Sequence, residues 1–170
     1  NILGIMSGTS LDVLDLAFCN FSRTHSIWNY KILKAITLPY PDEIIDILNK
    51  AIHLPAPELC ILDHEYGKWI GNASKIFLTD NNFQTHWISS HGHTVFHQPS
   101  KGYTLQIGNG NDIAAETGIP VVCDFRSIDV ALGGQGAPLV PAGDEYLFGN
   151  FDYCLNLGGF SNISYKSGKK

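Results

Sequence analysis

Long apolar runs are missing from this sequence. No stretch approaches the roughly 20 residues needed to span a bilayer, and the chain enters a strand pattern at once, with no basic leader or cleavage site. The first residue is Asn1, not Met. Basic blocks are missing too: 11 Lys and Arg are scattered against 16 Asp and Glu, for a net charge of −5, which excludes a nucleic-acid surface and leaves a small substrate as the better fit. Cysteine pairs are absent. Cys19, Cys60, Cys123 and Cys154 form no C-x-x-C motif, and three of them lie in apolar runs, so reduced core cysteines in a cytoplasmic protein are expected. What remains, 44% hydrophobic and 16% charged residues over 170 positions, is enough for a globular core.

The patterns present are mixed. Residues 2–6 and 13–20 read as strands, the second with Leu14, Leu16 and Phe18 alternating against Asp15, Ala17 and Cys19. A third alternating run, SIWNYKILKAITLPY, completes an antiparallel β meander. Pro41 and Asp42 start a helix with a broad apolar face, and APELCILDHEYGKWIGNASKIFLTD is a longer amphipathic one. THWISSHG and YTLQIG read as strands, NDIAAETG as a helix ended by Gly118, and IPVVCDF as a buried strand of a parallel sheet. A helix is expected in APLVPAGDEYLFGN, interrupted near its start by Pro141 and Gly143. DYCLNLGGFSNISYKS repeats the opening in outline, as strand, small polar turn and strand, which suggests two similar lobes.

The turn MSGTSLD carries the first chemistry. Gly8 allows close backbone approach, Thr9 and Ser10 offer hydroxyl donors, and Asp12 and Asp15 are candidate Mg²⁺ ligands. The P-loop lysine is absent. An ordinary tight hairpin with Asp12 capping its own backbone stands beside this reading. In SSHGHTVFHQP, His91, His93 and His97 have no zinc signature and no neighbouring Cys or carboxylate, so hydrogen bonding is favoured over metal, with His91 and Thr94 at a cleft rim donating to a polar ligand. Asp124, Arg126 and Asp129 follow a buried strand, where ligands gather in α/β sheets. Arg126 can fork onto a carboxylate or phosphate, and Gln135 in GGQGAP can bond sugar hydroxyls; an ion pair organising the loop is the alternative. Gly158, Gly159, Ser161 and Asn162 can form a second anion-gripping turn, or a plain hairpin.

Taken in order, GIMSGTSLD, SHG.T..H, LQIGN, TGIPVV.DFR, GGQGAPLVPA and LNLGGFSN resemble the 1,6-anhydro-N-acetylmuramic acid kinases of bacterial cell-wall recycling. The resemblance implies an α/β, actin-like ATPase (ribonuclease H-like) lobe, with a mixed five-stranded sheet, an N-terminal meander and flanking helices. Residues 1–148 would form that first lobe and 149–170 the opening hairpin of a second. The resemblance implies a cytoplasmic enzyme using ATP and Mg²⁺, which opens the anhydro ring with water and phosphorylates the sugar's 6-oxygen. It places the ATP phosphates at Gly8, Thr9, Ser10, Leu11, Asp12, Val13, Leu14 and Asp15, with Mg²⁺ through Asp12. It places the sugar near His91, Thr94, Asp124, Arg126 and Gln135. A homodimer is an expectation from the family; no nucleic-acid or membrane partner is expected. Three departures stand out: Val13 where a Gly is usual, His93 where Gln is frequent, and VPAGDEYLF for the more usual VPAFH. The family's catalytic aspartate belongs to an F-D-x-G-P-x-N stretch not found in this sequence, and the resemblance would place it beyond Lys170. No base is therefore named, and this piece alone is expected to be inactive. Other readings are another sugar kinase of the same superfamily, a ligand-binding half-domain without turnover if the protein ends at Lys170, and a metal hydrolase built on the three histidines.

Overall fold

A computed structural model describes residues 1–8, 11–157 and 161–165. The chain opens with β1 (Ile2–Ser7), β2 (Val13–Thr24) and β3 (Ile27–Pro39), all antiparallel neighbours. Helices α1 (Asp42–Lys50) and α2 (Ala56–Asp80) follow, joined by a short 3₁₀ turn. Then come β4 (Trp87–Ser90), β5 (His93–Gln98), β6 (Tyr103–Ile107), α3 (Gly110–Thr117) and β7 (Val121–Val122). The remaining elements are α4 (Ser127–Ala131), α5 (Val140–Leu147), β8 (Tyr153–Asn156) and β9 (Asn162–Tyr165).

Five strands form one mixed sheet in the order β3-β2-β1-β4-β7, with β1, β4 and β7 parallel. β5 with β6, and β8 with β9, are separate antiparallel hairpins. Period-two alternation decides which sheet face is buried: Leu3 and Ile5, Leu14, Leu16 and Phe18, and Ile88 all point to one side. Leu59, Leu62, Tyr66, Ile70 and Phe77, spaced at helical intervals along α2, join that core. Phe83, just past α2, stacks on Phe18 with ring centroids 4.2 Å apart. Ile88 and Ile70 are fully enclosed, so truncating either to Ala should cost about 2–5 kcal/mol.

Helix α3 lies against α2 because α2 carries glycines there. A Cβ on Gly67 would sit 2.7 Å from the Asn109 carbonyl oxygen, and one on Gly71 would press on Glu116. Pro41 and Pro55 precede the two long helices, and Asp42 and Glu43 place negative charge in the first turn of α1, where the helix dipole favours it.

Several expectations need correction. β7 spans only two residues, and Val122 is exposed, so IPVVCDF is a short sheet margin rather than a buried strand. The cysteines are not core residues: Cys60 and Cys123 are exposed, and Cys19 and Cys154 are half-buried. All four thiols are free. β5 and α4 have no counterpart in the sequence patterns, because HTVFHQ mixes polar with apolar positions and SIDVA is too short to show a period. Pro141 and Gly143 lie inside α5 and do not delay it; a proline in the first turn loses no intrahelical bond. Lys170, beyond which the resemblance would place the catalytic aspartate, lies outside the described residues. The described residues include no helix long and apolar enough to cross a membrane.

Candidate functional site

Because β1, β4 and β7 are parallel neighbours, the segments leaving them emerge along one margin of the sheet. They are the turn after Ser7, the Ser90–Gly92 corner, and the segment from Cys123 to Arg126. The His91 N–H donates to the Ile5 carbonyl at 3.1 Å, which ties the second of these to the end of β1.

At the first exit, Ser7 ends β1 with its hydroxyl turned into the core. Tyr40 Oη lies 2.8 Å and Tyr66 Oη 3.0 Å from Ser7 Oγ, and the two phenols are 2.7 Å apart. Burial pushes both phenols up from their ordinary range, Tyr66 strongly. The turn beyond is closed by the Leu11 N–H donating to the Gly8 carbonyl at 3.4 Å, with Leu11 in the left-handed region at φ 56°. Tyr40 N–H donates to the Asp12 carbonyl at 3.0 Å. Val13 and Leu14 begin β2 opposite Pro39 and Leu38, and Asp15 Oδ1 accepts from Thr37 Oγ1 at 2.6 Å. Thr9 and Ser10 lie outside the described residues.

At the second and third exits, Arg126 and His91 meet. Arg126 Nε and Nη2 lie 3.0 and 2.9 Å from His91 Nε2, and Nη1 donates to the Gly136 carbonyl at 2.5 Å. On its other side His91 Nδ1 is 2.8 Å from the Gly92 carbonyl. Burial, aided by the guanidinium, holds the His91 ring below its ordinary range and so neutral. Asp129 Oδ2 accepts the Gly136 N–H at 2.6 Å, which fixes the glycine loop carrying Gln135. Asp124 sits at φ 55°, a conformation an Asp tolerates better than most residues, and its Oδ1 accepts the Ser127 N–H at 3.2 Å, starting α4.

Between these exits and α2 lies a cleft of about 330 Å³. Asp63, Ser90, His91, Gln106, Cys123 and Asp124 are among its lining residues, and none of the lining side chains is Lys or Arg. Asp63 shapes its floor, accepting from the Gly108 N–H at 2.8 Å and from Asn109 Nδ2 at 2.9 Å. Gly92 is required here, since at φ 70° a Cβ would meet the Ile107 carbonyl oxygen at 2.5 Å. Two buried atoms of the lining, Ser90 Oγ and Gln106 Oε1, have no hydrogen-bond partner. Buried polar groups rarely remain unpaired, so these are places for a ligand or water to bind. With two carboxylates and an amide oxygen but no cationic side chain, the cleft suits a neutral group that donates hydrogen bonds, such as a hydroxyl or an amide N–H.

The structure thus brings His91, Asp124 and Arg126 together, with Gln135 on the adjoining loop. Thr94 is on the β5–β6 hairpin, 3.3 Å from Gln106 Nε2, and does not line the cleft. His93 is buried beside His91 with its Nδ1 unpaired, and burial lowers it to about 4; His97 bonds Thr104 on the hairpin. Among the described residues no group of three or more His, Cys, Asp or Glu side chains is arranged to hold a metal. Ser161 and Asn162 lead into β9, Asn162 opposite Asn156, while Gly158 and Gly159 lie outside the described residues. Sequence reading missed Tyr40, Tyr66, Asp63, Ser90 and Gln106. The polar run LQIGNGND and a tyrosine inside an amphipathic helix were the available signals.

A mixed sheet with a polar, cation-poor cleft at the exits of β4 and β7 defines an α/β protein with a candidate small-molecule site. The family model for anhydro-N-acetylmuramic acid kinase matches residues 1–169, and the chain belongs to that family. Similar relatives bearing that name include one from Shewanella loihica, 42% identical over 98% of this chain and 47% of its own length. Others come from Haemophilus influenzae, 39% identical over 95% of this chain and 44% of its own, and Pseudomonas syringae, 40% identical over 95% and 46%. The chain therefore spans about half the length of these curated relatives.

Proposed function

We propose that the chain is the nucleotide- and acceptor-binding part of a bacterial cytoplasmic kinase acting on 1,6-anhydro-N-acetylmuramic acid. Water adds at the anomeric carbon as the bond to the 6-oxygen breaks. The freed 6-oxygen takes the γ-phosphoryl group of ATP, leaving ADP and N-acetylmuramic acid 6-phosphate. The single observation that carries this reading is the alignment of the three strand exits. With His91 N–H bonded to the Ile5 carbonyl, it supports a phosphate-binding turn at Ser7–Asp15 beside an acceptor site in the His91-lined cleft, as transfer between two bound molecules needs.

In this reading Gly8 to Asp15 receives the triphosphate. No Lys or Arg lies in that stretch, so backbone N–H and hydroxyl donors do the binding. Asp12 would hold Mg²⁺, an assignment that suits an exposed carboxylate at a strand exit. When bound, the ion supplies neutralisation of the phosphate charge. Arg126 fixes His91 and the glycine loop, and retains two N–H groups for an acceptor on the sugar. The cleft lined by Asp63, Ser90 and Gln106 accepts the sugar's hydroxyl or amide hydrogens.

The strand order, antiparallel through β3-β2-β1 and then parallel, supports an actin-like ATPase lobe over residues 1–148. The β8–β9 hairpin leaves Tyr153, Leu155, Ile163 and Tyr165 exposed, which supports residues 149–170 as the start of a second lobe that covers them. The catalytic base would then come from that second lobe, beyond Lys170. The test is ADP release by the full-length protein with 1,6-anhydro-N-acetylmuramic acid as acceptor. Release with N-acetylglucosamine but not with the anhydro sugar would overturn the reading.

A further inference from the structure

Tyr40 touches both ends of the segment that joins β1 to β2. Its hydroxyl meets Ser7 at 2.8 Å, and its backbone N–H holds the Asp12 carbonyl at 3.0 Å. Tyr66, reaching across from α2, closes a triangle with both hydroxyls. Ser7, Tyr40 and Tyr66 are 3%, 5% and 1% exposed, so no water competes for these contacts. Ser7 Oγ accepts from both phenols, whose oxygens lie 2.7 Å apart.

A core has no need of such a triangle. Phe at both aromatic positions and Ala at Ser7 would fill nearly the same space without desolvating three polar groups. Neutral hydrogen bonds add only about 1 kcal/mol each, net of what water offers the unfolded chain. What they add beyond packing is direction: the triangle fixes the end of β1 against α2 and against the end of β3. Tyr40 then carries that fixed frame across to Asp12 through its own backbone.

We propose that Tyr40 is a positioning residue that sets the span between Ser7 and Asp12, and thereby the fit of a nucleotide triphosphate to the turn. This rests on the nucleotide role proposed above for Gly8–Asp15. Residues 7–15 contain no Lys, Arg or His. Attraction to a lysine falls off gently with distance, whereas a hydrogen bond weakens steeply once its angle and length are lost. A turn that binds phosphate by directional donors alone depends on its frame more than a lysine-bearing loop does. Ser7 Oγ is engaged inside the triangle, so it belongs to the frame and not to the phosphate contacts.

The experiment compares Tyr40→Phe, Tyr66→Phe and the packing control Trp69→Leu in the full-length protein. Trp69 packs on both tyrosine rings but makes no hydrogen bond to the turn, and Phe at either tyrosine keeps those ring contacts. The readouts are Kd for a non-hydrolysable ATP analogue by calorimetry, KM for ATP and for the sugar, and Tm. Tyr40→Phe should weaken nucleotide binding and raise KM for ATP roughly 5- to 30-fold, the loss of one or two placed contacts. The KM for the sugar should not change. Tyr66→Phe should do the same to a smaller extent, and carries the test if Tyr40→Phe does not fold. Trp69→Leu should lower Tm and leave nucleotide affinity alone. The proposal fails if the tyrosine variants lower Tm as Trp69→Leu does with nucleotide affinity unchanged. Gly8→Val and Asp12→Asn separate the two ideas. If these also leave nucleotide binding intact, the turn is not the nucleotide site; if they weaken it while both tyrosine variants do not, only the framing role is lost.

Discussion

Arg126 directs two of its nitrogens at a single atom, His91 Nε2, at 3.0 and 2.9 Å. That atom must therefore accept, and the ring proton sits on Nδ1, where it donates to the Gly92 carbonyl at 2.8 Å. A cation is thus held by a neutral imidazole rather than by a carboxylate. Among the described residues no carboxylate forms an ion pair with it, and its imidazole partner His91 lines the cleft.

Arg126→Lys should break this arrangement, because one ammonium cannot span His91 and the Gly136 carbonyl in the planar fork. The loss of charged hydrogen bonds should raise the KM for the sugar about 10- to 100-fold in the full-length protein. The KM for ATP should be little changed. Nitrogen-15 NMR should also show the His91 ring leaving its Nδ1-protonated form in the variant. Unchanged sugar kinetics would remove Arg126 from the acceptor site.

His93 supplies a pH dependence with a fixed sign. Burial, reinforced by His91, lowers it from 6.5 in the unfolded chain to about 4 in the fold. The unfolded chain therefore takes up a proton first as pH falls, and stability declines from about pH 6.5 to about pH 4. Above that window both states are neutral at this ring and it contributes no slope. His93→Gln should flatten the urea midpoint across that window relative to the parent. A parallel decline in both proteins would assign the slope to other groups.

Gly67→Ala tests the close approach of α2 and α3. The added methyl would collide with backbone of Asn109, which the chain cannot move without disturbing Asp63 and the cleft floor. A destabilisation of about 1–3 kcal/mol by denaturant titration is expected, although Ala is the better helix former by about 1 kcal/mol. A neutral or stabilising result would mean that the two helices part easily.

Cys123 and Cys60 are both exposed, and only Cys123 lines the cleft. Burial of part of its side chain, then Asp124 and Asp63, raises the Cys123 thiol above its ordinary value. Maleimide labelling at Cys123 should therefore accelerate chiefly on the alkaline side. If the sugar occupies the cleft, it should protect Cys123 and leave Cys60 labelling unchanged, read by peptide mass spectrometry. Equal protection at both sites, or none at Cys123, would count against the cleft as the acceptor site.

The sequence alone determined the elements whose periodicity is long. The meander, the 25-residue helix α2 and the Gly118 stop of α3 all follow from local alternation, helical spacing and turn chemistry. It also determined the family, because GGQGAPLVPA and MSGTSLD are local strings that need no folding to be read. Only the tertiary structure decided what those strings face. Tyr40 and Tyr66 lie 26 positions apart and Arg126 lies 35 from His91, and no local pattern marks such partners. Strand pairing at one sheet margin creates those contacts, and burial there makes each unmet hydrogen bond costly enough to select its partner. The same cause leaves β7 short and the cysteines outside the core: apolar runs predict burial there, but burial is a property of what packs above a residue, not of its neighbours in the chain.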